Sequence, residues 1–168
     1  HTIKEYLDII YKLKKNNSEI RFSSDFIIGY PGETDKDFEE TLKLLKEIKY
    51  INTYSFIFSP RPGTPAANME KVDYETAKKR LVIFQKIAEE IKIKYRKNLL
   101  HKRTSVLFEN KMKNGPDFFG RDPFSNSIIV KSNQNLKGQI KSVKIISGNQ
   151  NTLYGEIDDV LEKENFAA

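Results

Sequence analysis

Two short stretches of this chain, and a third more diffuse group, carry the residues best suited to chemistry. In Ser23-Ser24-Asp25-Phe26-Ile27-Ile28-Gly29-Tyr30-Pro31-Gly32-Glu33-Thr34 a single carboxylate, Asp25, precedes an apolar run that breaks at a Gly/Pro turn. If the run is a strand, the turn lies at its carboxyl end, where α/β folds bind ligands. The plainer alternative is βα turn chemistry, with Asp25 held by a neighbouring Lys or Arg. In Ser59-Pro60-Arg61-Pro62-Gly63-Thr64-Pro65-Ala66-Ala67 three prolines stiffen a loop around Arg61. A permanently charged guanidinium on a fixed arm suits an anionic or carbonyl-bearing ligand, or else pairs with a surface carboxylate. The third group is basic with aromatics interleaved: Lys102, Arg103, Lys111, Lys113, Phe118, Phe119, Arg121 and Phe124. Lys and Arg neutralise phosphates, and exposed aromatics offer faces to unstacked bases. A small β-domain also needs Phe inside, and at least half of these three Phe are expected in its core.

These residues need elements to position them. Ile3, Tyr6, Leu7, Ile10 and Leu13 recur at helical spacing, and Lys14-Lys15-Asn16-Asn17-Ser18 ends that first helix. Next, Ile20, Phe22, Phe26 and Ile28 share one face of a period-two strand, with Ser23, Asp25 and Ile27 on the other. Thr34-x-x-Asp37 has the form of a capping box ahead of Phe38, Leu42 and Leu45, which predicts a helix over 35–48. A second strand is expected over 53–59, dense in aromatics at Tyr54, Phe56 and Phe58. The order α-β-α-β with no hairpin turn implies parallel strands joined by crossover helices. Two parallel strands cannot close a barrel, so this part is expected to be the end of a larger sheet.

A long helix is expected over 73–99. Its stripe of Ala77, Leu81, Phe84, Ala88, Ile91 and Tyr95 would pack as core, while Lys78, Lys79, Arg80, Glu89, Glu90, Lys92 and Lys94 mostly face water. From Leu100 the texture changes to short strands over 104–109, 118–121, 127–131, 139–147 and 152–158, separated by polar turns. That pattern predicts a small closed or nearly closed β-barrel. The final residues to Ala168 carry no pattern and are expected to fray.

Composition bounds the answer further. With 168 residues and 38% hydrophobic content, two modest cores are expected in preference to one large one. The formal charge of +6 is uneven: residues 96–160 hold 11 basic against 6 acidic side chains, and residues 1–95 hold 17 against 15. The surplus falls in the second part, as expected of a domain that meets a polyanion. No apolar run approaches the roughly 18 residues that cross a bilayer, and no leader precedes the first helix, so the chain is expected to be soluble and cytoplasmic, with no membrane partner. The absence of cysteine excludes a disulfide framework, a zinc ribbon and any thiolate ligand for an iron–sulfur cluster within this chain. It starts at His1 and enters a helix at once, as though cut from something longer.

The string Asp25-x-Ile27-x-Gly29-x-Pro31-Gly32-Glu33-Thr34 resembles the late-strand motif of radical S-adenosylmethionine enzymes, in which the Asp lies against the ribose of the nucleoside. Two carboxylate oxygens would then face two vicinal hydroxyls. The Ser59–Ala66 segment is similar to the one after the last barrel strand of the methylthiotransferases, and its proline-flanked arginine is closest to those that modify tRNA. Phe119-Gly120-Arg121, Ser127-Ile128-Ile129-Val130, Gly138-Gln139 and Leu153-Tyr154-Gly155-Glu156 resemble the TRAM domain, a small RNA-binding β-barrel.

The resemblance runs over nearly the whole chain, to the carboxyl-terminal part of a radical S-adenosylmethionine tRNA methylthiotransferase of the kind that acts on isopentenyladenosine beside the anticodon. It implies an α/β plus all-β fold: residues 1–98 as the end of a partial (β/α) barrel, 99–160 as an OB-like TRAM barrel, and 161–168 as a tail. In that family a reduced four-iron cluster splits S-adenosylmethionine, the deoxyadenosyl radical takes hydrogen from the target base carbon, and a second cluster takes part in sulfur delivery. S-adenosylmethionine and two 4Fe-4S clusters are therefore the implied cofactors of the parent enzyme, and the tRNA anticodon stem-loop is the implied partner. Residue by residue, Asp25, Gly29, Pro31 and Gly32 would meet the cofactor, Arg61 and Thr64 the substrate, and Lys102, Arg103, Lys113, Phe119 and Arg121 the tRNA. The chain departs from the pattern in lacking the CxxxCxxC cysteines and those of the second cluster. These 168 residues alone are thus expected to be inactive, with no catalytic or metal-binding residue of their own. A relative acting on threonylcarbamoyl-adenosine in tRNA or on a ribosomal protein, a non-catalytic RNA-binding module, and a structural fragment without independent function stay open.

Overall fold

The computed structural model describes residues 2–113 and 115–158; the tail expected over 161–168 lies outside the described residues. The chain divides into two compact units, His1–Lys92 and Ile93–Ala168.

In the first unit, helices and strands alternate as their patterns require. Helix α1 (Ile3–Asn16) opens on a capping box at Thr2 and Glu5, and α2 (Asp35–Ile48) on one at Thr34 and Asp37. The Thr34 amide donates to the Asp37 carboxylate at 2.9 Å, and the Asp37 amide to the Thr34 hydroxyl at 3.2 Å. These bonds satisfy backbone donors that have no partner inside the helix. Strands β1 (Ser23–Ile28) and β2 (Asn52–Ile57) pair in parallel, with Asp25 opposite Tyr54 and Ile27 opposite Phe56. The core lies on one side of this two-stranded sheet: Ile10, Ile28, Phe38, Leu45, Ile48, Tyr50, Phe84 and Ala88 are buried, with Phe22 and Phe26 packed against them. Phe26 meets the rings of Tyr50 and Phe84 at centroid distances of 5.4 and 4.7 Å. Side chains the size of Phe84, fully buried here, contribute roughly 1.5–3 kcal/mol each through removal from water. Because strand side chains alternate, covering Phe26 and Ile28 leaves Asp25 and Ile27 on the bare face.

Helix α3 (Tyr74–Lys97) contributes Phe84 and Ala88 to that core and also buries Ala77, as the stripe predicts. One residue departs from expectation. Arg80, placed by the helical pattern toward water, is only 7% exposed, because the carboxylates of Glu33, in the β1–α2 connection, and Asp35, at the start of α2, reach it.

The second unit closes five strands into a barrel in the order β3 (Arg103–Lys111), β4 (Asp117–Arg121), β5 (Ser127–Lys131), β7 (Leu153–Ile157), β6 (Ile140–Gly148). Neighbours are antiparallel except β5 and β7, which run parallel. Val106, Phe108, Phe118, Ile128, Val130, Leu136, Val143, Ile145 and Leu153 fill the interior. A Cβ at Gly155 would stand 2.4 Å from Val143 Cγ1 and 2.7 Å from the Lys144 carbonyl, so the β6–β7 seam closes only around a glycine. Of the three Phe expected to divide between core and surface, only Phe118 is fully enclosed. Phe119 alternates outward, and Phe124 is half-buried. The last turn of α3 belongs to this unit: Arg96 donates to the carbonyls of Asn149 and Asn151 at 3.0 and 3.2 Å, and the Asn126 amide to the Tyr95 hydroxyl at 3.2 Å. No helix among the described residues is long and apolar enough to cross a membrane.

Candidate functional site

The helix-free face of β1 and β2 brings Asp25 beside Ile27, Tyr54 and Phe56, which are 56%, 60% and 58% exposed. Three large apolar side chains bared together around one carboxylate are unusual on a surface that has no task. The Asp25 side chain forms no hydrogen bond or ion pair with the described residues, so the plainer alternative, a neighbouring cation holding it, does not apply among them. The face therefore offers a free two-oxygen acceptor next to an aromatic and aliphatic bed. Planar bases stack on such beds, and paired hydroxyls donate to such acceptors. Alternation places Ile27 on the Asp25 face, but the sequence marks Tyr54 and Phe56 only as aromatics of the second strand; the parallel register, which aligns 54 with 25 and 56 with 27, brings them to the same face.

The turn that follows β1 is held from behind. Gly29 has φ +71°, and a Cβ there would lie 2.6 Å from the Cβ of Ala77, so this glycine lets α3 approach the turn. Pro31 is buried, and Gly32 is exposed at φ +82° with open space at its Cβ direction. Of the four residues expected at a cofactor, Asp25 and Gly32 thus stand open, while Gly29 and Pro31 turn into the fold. Glu33 accepts the Gly29 amide hydrogen through Oε2 at 3.0 Å and pairs through Oε1 with Arg80 at 2.7 Å. Arg80 also donates to the Glu33 carbonyl at 3.1 Å and to Asp35 at 2.7 Å. Burial alone would push the Arg80 guanidinium down; its hydrogen bonds to Asp35 and Glu33 outweigh that and raise it. Neither Glu33 nor Arg80 was singled out as a site residue, since they lie 47 positions apart.

At the end of β2, Phe58 donates its amide to the Ile28 carbonyl at 2.9 Å, and its ring meets Tyr30 edge-on at 5.1 Å. The ends of both strands are thereby joined. Arg61 follows in the exposed proline loop and forms no ion pair with a described residue. Thr64 spends its hydroxyl on the Arg61 carbonyl at 2.8 Å, which folds the loop back on itself, so its visible task is to shape the loop.

The five residues expected to meet RNA lie on the barrel, and the structure brings only some of them together. The Arg121 guanidinium sits 5.4 Å from the centre of the Phe119 ring and pairs with Glu109 at 3.1 Å. Arg121, beside the turn that follows β4, is thus tied to a carboxylate while half of its side chain stays exposed. Arg103 pairs with Asp158. Lys102 and Lys113 are exposed and pair with no described residue. Lys102 and Arg103 enter β3 at one end and Lys113 leaves beyond the other, on the order of 30 Å apart along an extended strand. A separate depression of about 440 Å³ is lined by Lys131, Lys141, Asn133, Gln134 and Glu156 among others, and none of the five lines it.

No family model matches the chain. It is 49% identical over 164 residues to the tRNA-2-methylthio-N(6)-dimethylallyladenosine synthase of Pelagibacter ubique (strain HTCC1062), covering 98% of this chain and 37% of that protein. Proteins of the same name from Wolbachia pipientis subsp. Culex pipiens (strain wPip) and Ehrlichia canis (strain Jake) are 42% and 38% identical over 158 and 161 residues. These alignments cover 92% and 94% of this chain and 36% of each relative. The chain spans a little over a third of the length of the curated relatives it matches.

Proposed function

We infer the function of this chain from its membership of the tRNA-2-methylthio-N(6)-dimethylallyladenosine synthases, a portion of which it matches along nearly its whole length. It is the part of a cytoplasmic tRNA methylthiotransferase that completes the nucleoside site and carries an RNA-binding barrel. Strands β1 and β2 are the last strands of a radical S-adenosylmethionine barrel, whose interior is the helix-free face, and the five-stranded barrel is a TRAM domain. The observation that carries this reading is the unpaired Asp25 carboxylate set among the exposed Ile27, Tyr54 and Phe56.

The residues of that face fit S-adenosylmethionine. Asp25 accepts from the ribose hydroxyls, and Ile27, Tyr54 and Phe56 supply an apolar bed that excludes water from the adenine. When bound, the cofactor supplies the chemistry of hydrogen abstraction. The open Gly32 lets backbone approach the ligand, and Arg61, on its stiff loop, faces the substrate nucleotide. The residues of this chain do not fit an iron–sulfur cluster, because none of the 168 is a cysteine. On the barrel, Lys102, Arg103, Lys113 and Arg121 neutralise phosphates of the anticodon stem-loop, and Phe119 offers a partly exposed ring.

Deleting the gene of the intact protein and analysing the cell's tRNA by mass spectrometry tests the reading. Loss of the methylthio group from isopentenyladenosine is expected. Loss from threonylcarbamoyl-adenosine or from a ribosomal protein, with isopentenyladenosine unaffected, would contradict it.

A further inference from the structure

We propose that Arg80 and Glu33 form a latch that positions the nucleoside-facing ends of β1 and β2, making Arg80 a positioning residue for cofactor binding although it faces away from the cofactor. This rests on the reading of the β1–β2 face given above.

An arginine this buried is held for geometry more than for stability, since a well-packed apolar side chain would serve stability as well. Its donors are aimed at three acceptors around the start of α2: the Glu33 carboxylate at 2.7 Å, the Glu33 carbonyl at 3.1 Å and the Asp35 carboxylate at 2.7 Å. The second Glu33 oxygen takes the Gly29 amide at 3.0 Å, and the Tyr30 carbonyl takes the Glu33 amide at 2.9 Å. The Gly29–Glu33 turn is thus closed on itself and tied to α3. One turn earlier on the same face of α3, Ala77 presses on the space that Gly29 leaves. Two successive contacts from one helix leave the turn little freedom.

What the turn fixes is the ligand face. Tyr30 projects from it and meets Phe58, whose amide is bonded to Ile28, so the exits of β1 and β2 move with the turn. Asp25 and Ile27 precede the first exit, Phe56 precedes the second, and Arg61 follows it. The two arms of the latch differ in exposure. Glu33 is as enclosed as Arg80, whereas the Asp35 side chain is 94% exposed and its pairing is screened by water. The Glu33 arm therefore carries the positioning.

The test uses the intact enzyme with Arg80→Gln, Arg80→Lys, Glu33→Gln, Asp35→Asn and, as a stability control, Leu45→Ala in the core. Each variant is measured for S-adenosylmethionine affinity by calorimetry, tRNA affinity by filter binding, urea midpoint, and hydrogen exchange at the Gly29 amide. Arg80→Gln and Glu33→Gln are expected to weaken S-adenosylmethionine binding on the order of tenfold, as displacement of a positioned group does, with tRNA affinity kept and Gly29 exchange accelerated. Arg80→Lys should restore part of the affinity, and Asp35→Asn should change it less than twofold by this logic of screening. Leu45→Ala should lower the urea midpoint at least as far as Arg80→Gln while leaving cofactor affinity intact. Unchanged cofactor affinity, or unchanged Gly29 exchange, in both Arg80→Gln and Glu33→Gln would reduce the pair to a structural brace and overturn the latch. A wild-type enzyme that binds no S-adenosylmethionine would overturn the reading of the face and the latch with it, whatever Gly29 does.

Discussion

Replacing Gly29 by Ala tests whether the turn after β1 is shaped by the helix behind it. Two costs follow from the geometry. At φ +71° an L side chain pays about 1–2 kcal/mol, and a Cβ standing 2.6 Å from Ala77 Cβ overpacks the contact at about 1–3 kcal/mol. Gly29→Ala should therefore destabilise the first unit by about 2–5 kcal/mol in total. Ala77→Gly removes the atom it meets, at about 1 kcal/mol for glycine inside a helix. In the double variant the overpacking cost should vanish and the backbone cost remain, giving a favourable coupling of about 1–3 kcal/mol. Urea titrations followed on the amide signals of Leu45 and Phe84 report this unit separately from the barrel. Strict additivity of the two single changes would refute the reasoning. So would a Gly29→Ala chain of unchanged stability that had lost cofactor affinity, because the glycine would then serve the ligand and not the helix.

Truncating Phe84 to Ala, fully buried against Phe26, should cost about 3–5 kcal/mol and be visible in the same titration. On the barrel, Gly155→Ala should open the β6–β7 seam and broaden or shift the amide signals of Val143 and Lys144, with those of β1 and α2 unmoved. Lys113→Ala, removing a cation with no described partner, should lower the salt dependence of tRNA binding by about 0.7 in log–log slope; Arg121→Ala, whose charge Glu109 partly meets, should lower it less. Asp73 is held below its ordinary 3.8 by the Thr76 amide, then by the Thr76 hydroxyl. Its contribution to stability is thus fully present above 3.8 and is lost as pH falls through the lowered value. Asp73→Asn should flatten the urea midpoint against pH in that acid window and leave its slope near neutrality unchanged.

Much of this was legible because the governing signals are local. Thr34 and Asp37 announce the start of α2, alternation places Asp25 opposite Phe26, and strand β5 falls on residues 127–131 because its apolar run is bounded by turns. The positions that misled are those decided by distant partners. Arg80 sits on the shoulder of the α3 stripe, between the buried Ala77 and Phe84, but its charge reads as solvent-facing; the carboxylates that draw it inward belong to a distant part of the chain. Arg121 looks free beside its turn, yet the strand pairing brings Glu109 to it. Tyr54 and Phe56 stand out in the sequence only as strand aromatics with no face assigned; the structure shows that helices cover one face of the sheet and leave theirs bare. The parallel β5–β7 pairing that closes the barrel is likewise a long-range choice, with no turn to announce it.

The most direct measurement is S-adenosylmethionine affinity of the intact enzyme with and without Asp25→Ala, with tRNA affinity recorded alongside. Weakened cofactor binding with tRNA binding retained is the predicted result. Unaltered cofactor binding would contradict the placement of the nucleoside against this carboxylate.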